Sequence, residues 1–332
     1  MASPILQVAR LQMPWATLDP FLFCVHHNDA YPRGNVAMGP VAALEGRSIG
    51  ADFSGKDGWS MYHGDVVPGF PAHPHRGFET VTLVRRGRID HADSLGATAR
   101  FGGGDVQWMT AGNGIVHSEM FPLLHAESGN HAELFQIWLN LPARSKRVKP
   151  YFTMLWAETI PVVNAAGARV TVVAGTFGEA TGPGTPPDSW AADPAHEVAI
   201  WTVALADGAS LPLPLAARGT SRVLYVFDGE FEVAGQVVSK GYLAVLDATA
   251  AVALRGRGAS EALVLQGKPI GEPVVSHGPF VMNTATEIHE AYTDYRSSGF
   301  GGWPWKRRDP VHPREQGRFA RHADGRVETR EG

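Results

Sequence analysis

The 332-residue sequence is almost without cysteine and contains no long apolar run. Its single cysteine, Cys24, excludes an intramolecular disulfide framework, and the apolar neighbours Phe23 and Val25 predict a buried thiol in a reducing compartment. The first residues lack the continuous apolar segment of a secretory signal, and no stretch reaches the length of a membrane span. We therefore expect a cytoplasmic protein with no membrane partner.

An excess of positive charge is also absent. The chain has 29 basic and 33 acidic residues, a formal net charge of −4, and so lacks the basic footprint that nucleic-acid binding usually needs. We expect no direct nucleic-acid partner. What the chain has in quantity is 38 glycines and 24 prolines, which favour a protein of many short strands and turns over a helical one.

The length of the chain and a repeated sequence pattern predict two domains. The chain is about twice the length of a typical domain of roughly 150 residues. VRRGRID at 84–90 matches VFDGEFE at 226–232, and GDVQWM at 104–109 matches GYLAVL at 241–246. We predict an all-β fold of two antiparallel β-barrels, at residues 1–145 and 146–300. Residues 301–332 are predicted to form an extended tail, either poorly ordered or lying along the surface.

Local patterns predict two further elements. Glu79–Val84 and Arg88–His91 alternate as strands do and flank a turn at Gly87, which indicates a hairpin. Thr284 and Glu287 form a capping box. Apolar residues follow at helical spacing, so we expect an amphipathic helix that closes the second barrel and ends at Gly299.

Two pairs of metal-capable side chains share one short spacing. His73 and His75 form the first pair, and His117 and Glu119 form the second. Residues at i and i+2 of a strand point to the same face, so four donor groups converge if both segments are strands of one barrel. Three imidazoles and a carboxylate suit Fe, Mn, Cu or Ni better than a structural zinc. The alternative, for any one of these histidines alone, is an ordinary polar residue on a solvated strand.

The segments that carry these residues resemble a known family. HPHRGFET, GDVQWMTAG, GIVHSEM and HGPFVMNTATEI resemble the pirin family, a branch of the cupin superfamily with two fused barrels, over roughly residues 20–295. The resemblance implies a bicupin whose iron ligands are His73, His75, His117 and Glu119, with Fe(II) as the expected ion and Mn, Cu, Ni or Zn as alternatives. The general cupin pattern would instead take its carboxylate from Glu79.

The second barrel is predicted to be metal-free. Superposing Gly87 on Gly229 without gaps puts the first histidine pair opposite Leu215 and Ala217. Superposing Gly104 on Gly241 puts the second pair opposite Leu254 and Gly256. Neither pair of corresponding residues in the second half then has a side chain that can ligate a metal.

Two functions follow from the resemblance. The first is a quercetin 2,3-dioxygenase-like enzyme that cleaves flavonol or catechol substrates with O2, with Glu119 as ligand and catalytic base. The alternative is an iron-binding, redox-sensing regulator that acts on a protein partner. The same four ligands serve both functions, and an apolar cavity for a flat aromatic would favour the enzyme. A third alternative, a metal-free structural pair of barrels, fits a sequence with all four donors less well.

Overall fold

A computed structural model describes residues 3–331. In chain order its strands are β1 (Ile5–Arg10), β2 (Phe21–Tyr31), β3 (Gly69–His75), β4 (Phe78–Arg86), β5 (Ile89–Asp93), β6 (Thr98–Phe101), β7 (Val106–Thr110), β8 (Ile115–Met120), β9 (Asn130–Asn140), β10 (Tyr151–Leu155), β11 (Val162–Ala165), β12 (Ala168–Ala174), β13 (Thr176–Phe177), β14 (Ala180–Thr181), β15 (Ala199–Leu205), β16 (Ser210–Pro212), β17 (Ser221–Asp228), β18 (Glu230–Val233), β19 (Gln236–Ser239), β20 (Tyr242–Asp247), β21 (Ala253–Gly256), β22 (Ser260–Gly267), β23 (Val275–His277), β24 (Phe280–Met282), β25 (Phe319–Arg321) and β26 (Val327–Thr329). One α-helix in this range, α1, spans Ala285–Ser298, and short 3₁₀ turns cover Lys56–Gly58, Ala143–Ser145, Trp190–Ala192, Pro194–His196 and Gly299–Gly301. The predicted all-β class with a C-terminal helix is confirmed. Within residues 3–331, no helix has the length and apolar character needed to cross a membrane.

The described chain divides into two compact units that are not contiguous in sequence. We call the first the histidine unit; it contains residues 26–136, 143–157 and 272–331. The second, the companion unit, contains residues 3–25, 137–142 and 158–271. The contiguous boundaries expected from the sequence remain a prediction, and this grouping differs from them by placing the helix and the tail with the histidine unit.

The histidine unit is built on two antiparallel sheets. One has the order β10-β7-β4-β9-β2, and the other has the order β26-β25-β6-β5-β8-β3. Its buried apolar cluster includes large side chains such as Trp59, Phe101, Phe152 and Trp156. Each such side chain contributes roughly 1.5–3 kcal/mol when it leaves water, so this cluster fixes the strands that carry the candidate site.

The predicted hairpin around Gly87 is wrong, although both of its strands exist. β4 pairs with β7, whereas β5 pairs with β6 and β8, so the chain passes from one sheet to the other at the turn. Gly87 adopts a φ of 79°, which suits a sharp change of direction. Alternation of apolar and polar residues identifies strands but does not identify their partners, because either sheet satisfies the same pattern.

The predicted helix forms within the bounds that its caps dictate. The side chain of Thr284 accepts a hydrogen bond from the backbone N–H of Glu287, and Gly299 ends the helix in the left-handed conformation at φ 57°. Ile288 and Ala291 are buried against a cluster that includes Phe280 of β24. The helix therefore packs on the histidine unit.

The companion unit contains a seven-stranded sheet with the order β1-β20-β17-β22-β15-β12-β11 and a four-stranded sheet with the order β16-β21-β18-β19. Its apolar cluster is formed by alternate residues of these strands, including Val203, Leu224, Phe231 and Leu254. The alternation identifies one inward face per strand.

Candidate metal centre

The two histidine-bearing segments are adjacent antiparallel strands. β3 pairs with β8, and in this register His73 lies opposite His117 and His75 lies opposite Ile115. A register shift between Phe70 and His73 brings Phe70 opposite Glu119. The i, i+2 spacing within each strand and the pairing between strands therefore direct the candidate ligands to one region.

Three imidazoles converge at this point. Nitrogen atoms of His73, His75 and His117 lie within 4.8 Å of one another, and among residues 3–331 they form the one group of this kind. The ring centroids are 4.8 Å apart for His73 and His75, and 4.5 Å apart for His73 and His117. That spacing suits three nitrogens ligating one ion from different directions.

Hydrogen bonds orient two of the three rings. His73 Nδ1 lies 2.9 Å from the carbonyl oxygen of Pro71, and His75 Nδ1 lies 3.3 Å from that of Pro279. Each carbonyl oxygen accepts a hydrogen bond from Nδ1–H, so that Nε2 keeps its lone pair, as in a metal-bound histidine with an outer partner. The backbone thus selects the tautomer that can ligate an ion.

His117 provides the test of whether an ion fits. The residue is completely buried, and neither of its ring nitrogens has a hydrogen-bond partner among the described residues. A buried polar atom without a partner costs about 1–3 kcal/mol, so such atoms are rare in a native fold. A metal ion held with His73 and His75 would satisfy His117, and the donor set therefore fits the group.

Burial also keeps these rings in the neutral form. Removal from water lowers the pKa of His73 to about 4 and lowers the pKa of His75 and of His117 well below the usual value, and the neighbouring histidine charges add to the effect. Neutral imidazole is the form that binds metals.

Glu119 lies at the edge of this cluster. Its Oε2 is 3.9 Å from His117 Nε2, while Thr82 Oγ1 donates to Oε1 at 2.9 Å and Gln136 Nε2 donates to Oε2 at 2.8 Å. Burial raises the pKa of Glu119. The carboxylate is thus held in position by two donors, and a nearby cation would offset the free-energy cost of burying its charge.

Glu79, the alternative carboxylate, has a different environment. It is completely buried and accepts a hydrogen bond from Thr110 Oγ1 at 2.7 Å. It is separated from His75 by Gly77, whose φ of 86° bends the chain between β3 and β4. It also lies three residues from Thr82 on β4, and so on the opposite face from the donor to Glu119.

Two other histidines lie outside the three-imidazole cluster. His63 is exposed, and its Nδ1 lies 2.7 Å from the carbonyl oxygen of Gly50. His91, which sequence reasoning treated only as part of a strand, lies opposite Glu119 in the pairing of β5 with β8. Its Nε2 is 3.2 Å from Asp93 Oδ2, and its ring centroid is 5.5 Å from that of His117. The i, i+2 spacing of His91 and Asp93 was the available signal.

The two sheets and the cluster of histidines define a cupin-class protein. Residues 12–139 match the model of the Pirin family, and residues 200–301 match the Pirin C-terminal cupin domain. Together these matches cover more than half of the chain, which therefore belongs to the pirin family.

Known proteins similar to this chain have two kinds of name. A Pseudomonas aeruginosa protein named "Putative quercetin 2,3-dioxygenase" is 39% identical over 237 residues, covering 70% of this chain and 80% of that protein. Pirin of Mus musculus is 37% identical over 257 residues, covering 74% of this chain and 83% of its own. The crystal structure of quercetin 2,3-dioxygenase from Acinetobacter baumannii superposes with a TM-score of 0.73 at 27% identity, covering 91% of this chain and 99% of that one.

Proposed function

We propose that this chain binds one metal ion through His73, His75, His117 and Glu119 and is a dioxygenase of flavonol or catechol-type aromatic substrates. The observation that carries the proposal is the buried His117 ring, whose nitrogens have no hydrogen-bond partner among the described residues although the ring lies in a three-imidazole cluster. The likeness to quercetin 2,3-dioxygenases supports the enzymatic part. Fe(II) is the proposed ion, and Mn, Cu, Ni and Zn are the alternatives. The single buried cysteine fits a cytoplasmic location.

The residues around the site have definable tasks. A bound ion would supply Lewis acidity and open positions for a substrate oxygen and O2. Glu119 would accept the proton of the substrate hydroxyl at Oε2, the oxygen nearest to His117. Thr82 and Gln136 keep that carboxylate in place while its charge changes. In this proposal Glu119 has two roles during turnover: it is a metal ligand, and it is the base that accepts the substrate proton.

The test starts from metal-free protein reloaded anaerobically with Fe(II), Mn(II), Cu(II) or Ni(II). We expect one equivalent of metal per chain, and oxygen uptake with flavonols or catechols that requires both the metal and Glu119. His63→Ala is the control, since this exposed histidine lies outside the cluster. Failure to bind metal would refute the site. Metal binding without oxygen uptake from any substrate would refute the enzyme and favour the redox-sensing regulator with a protein partner.

A further inference from the structure

The C-terminal tail is bound tightly to the histidine unit. Strand β25 extends the second sheet by pairing with β6, and Arg318 Nη1 forms a buried ion pair with Asp105 at 2.9 Å. The buried guanidinium of Arg100 is held by Asp90 and donates to tail carbonyl oxygens, including that of Pro313 at 2.7 Å. These contacts are charge-assisted and removed from water, so they hold the tail in one conformation.

One segment of the tail is joined directly to the strand that carries the first histidine pair. The backbone N–H of Ala72 donates to the carbonyl oxygen of Arg308 at 2.6 Å, and Arg308 Nη2 donates to the carbonyl oxygen of Ala72. Upstream, Trp305 Nε1 donates to the carbonyl oxygen of Asp93 at 2.8 Å. The guanidinium is therefore held beside the residue that precedes His73.

Arg308 carries a positive charge that no carboxylate of residues 3–331 neutralises through an ion pair. Its side chain is exposed and forms no ion pair with a carboxylate among the described residues. Arg307, its neighbour, is also exposed but is bound by both carboxylate oxygens of Asp309, at 3.0 and 2.8 Å. A fixed, unpaired guanidinium is a ready partner for a planar anionic group.

The guanidinium of Arg308 lies beside β3, next to the residue that precedes His73. His73 is only half-buried, whereas His75 and His117 are buried. Aromatic rings lie near His73: the half-buried Phe70 ring is 6.3 Å from the His73 ring, and the exposed Phe53 ring is 6.4 Å from Phe70. Aromatic rings and a cation thus lie near the most exposed of the three histidines.

We propose that Arg308 is a specificity-determining residue that binds an acidic group on the aromatic substrate, so that aryl carboxylates or aryl phenolates are preferred over neutral analogues. This inference rests on the proposed function, since it concerns the substrate of the same site. The match to the Pirin C-terminal domain ends at residue 301, so Arg308 lies outside the residues that the family match covers.

The test compares two probes that differ in one carboxylate, catechol and 3,4-dihydroxybenzoate. Their dissociation constants are measured by calorimetry on Fe(II)-loaded protein without oxygen, so that no turnover is needed. We expect the wild type to bind the carboxylate about fivefold more tightly, which is the upper end of what a charge-assisted contact at an exposed site gives. Arg308→Gln should abolish this preference, and the matched control Arg307→Gln should keep it.

Metal content and thermal unfolding of both variants show whether the strand contact survives, since the bond from the Ala72 N–H to the carbonyl oxygen at position 308 needs no side chain. An equal preference in Arg308→Gln and wild type, or no preference in the wild type, overturns the inference. If the preference depends on Arg308 but oxygen uptake is absent, the binding inference stands and the proposed enzymatic function fails.

Discussion

Replacing Glu119 and Glu79 separately by glutamine tests the ligand assignment. In the wild type Thr82 Oγ1 and Gln136 Nε2 both donate to the Glu119 carboxylate. A glutamine there can keep its oxygen toward Gln136 and turn its NH2 toward Thr82 Oγ1. The Thr82 hydroxyl can then donate its one proton to Gln136 Oε1 instead, which lies 2.6 Å away. The substitution therefore preserves shape and removes charge.

The expected magnitude follows from the position of each carboxylate. Loss of an outer partner of a metal ligand costs about 10–100-fold in affinity, so loss of the ligand's own charge should cost at least about a hundredfold, or about 2.7 kcal/mol. Glu79→Gln should leave affinity within about threefold, because Glu79 accepts a hydrogen bond from Thr110 and is not a member of the three-histidine group. Without metal, Glu119→Gln should unfold at a higher temperature than the wild type, because it removes a buried charge whose pKa burial raises.

The assay is competition with a chelator of known affinity, followed by elemental analysis, on both variants and the wild type. Unfolding temperatures are recorded with and without metal. The assignment of Glu119 as the carboxylate ligand is wrong if Glu79→Gln strips the metal while Glu119→Gln keeps it. If both variants keep metal and wild-type oxygen uptake, the role of Glu119 as base is also refuted.

Three further perturbations have defined outcomes. His75→Ala should lower metal content to below about a tenth of the wild type, while His63→Ala leaves it unchanged; equal metal content in the two variants would contradict the ligand set. Burial raises the pKa of Asp29 from 3.8 to about 6. Between these two pH values the folded chain holds a proton that the unfolded chain has lost. As pH rises through this range, the free energy of unfolding measured in urea should fall by up to about 3 kcal/mol in the wild type but not in Asp29→Asn. Lys146 Nζ donates to the buried carbonyl oxygen of Gly77 at 2.9 Å, so Lys146→Met should cost about 1–3 kcal/mol, and an unchanged urea midpoint would show that the contact is not stabilising.

The candidate site could be predicted from the sequence because its information is local. Two residues on one strand share a face whenever they are two apart, and this holds without knowledge of the strand's partner. The convergence of His73, His75 and His117 required one further condition, that the two segments be neighbours, and the pairing of β3 with β8 meets it. The partners of Glu119 could not be predicted, because Thr82 and Gln136 come from strands of the other sheet.

Contacts between segments that are distant in sequence were harder to predict, because local patterns do not name the partner. The capping box fixed where α1 begins, but no local pattern states which surface its apolar stripe covers. Phe280 and Met282 form the surface on which the helix packs. The hydrogen bond from the Val281 N–H to the carbonyl oxygen of Arg76, at 3.0 Å, holds them next to the end of β3. The polar composition of the tail likewise left open whether it is poorly ordered or lies along the surface. Its order comes instead from charged side chains such as Arg318, which finds its partner Asp105 far away in sequence.

The comparison of the two units explains why only one carries the cluster. In the histidine unit His73 lies opposite His117 across β3 and β8. The corresponding strands of the companion unit, β16 and β21, place Leu211 opposite Leu254, and both leucines are buried in its apolar cluster. With β16 and β21 taken as these counterparts, the ungapped register agrees at Leu254 but gives Leu215 where the strand pairing gives Leu211. Leu215 is 66% exposed and lies between β16 and β17, four residues beyond the paired position. Where the histidine unit holds two imidazoles whose nitrogens need a partner, the companion unit thus holds a leucine pair that needs none, and a metal there would have no donor to bind.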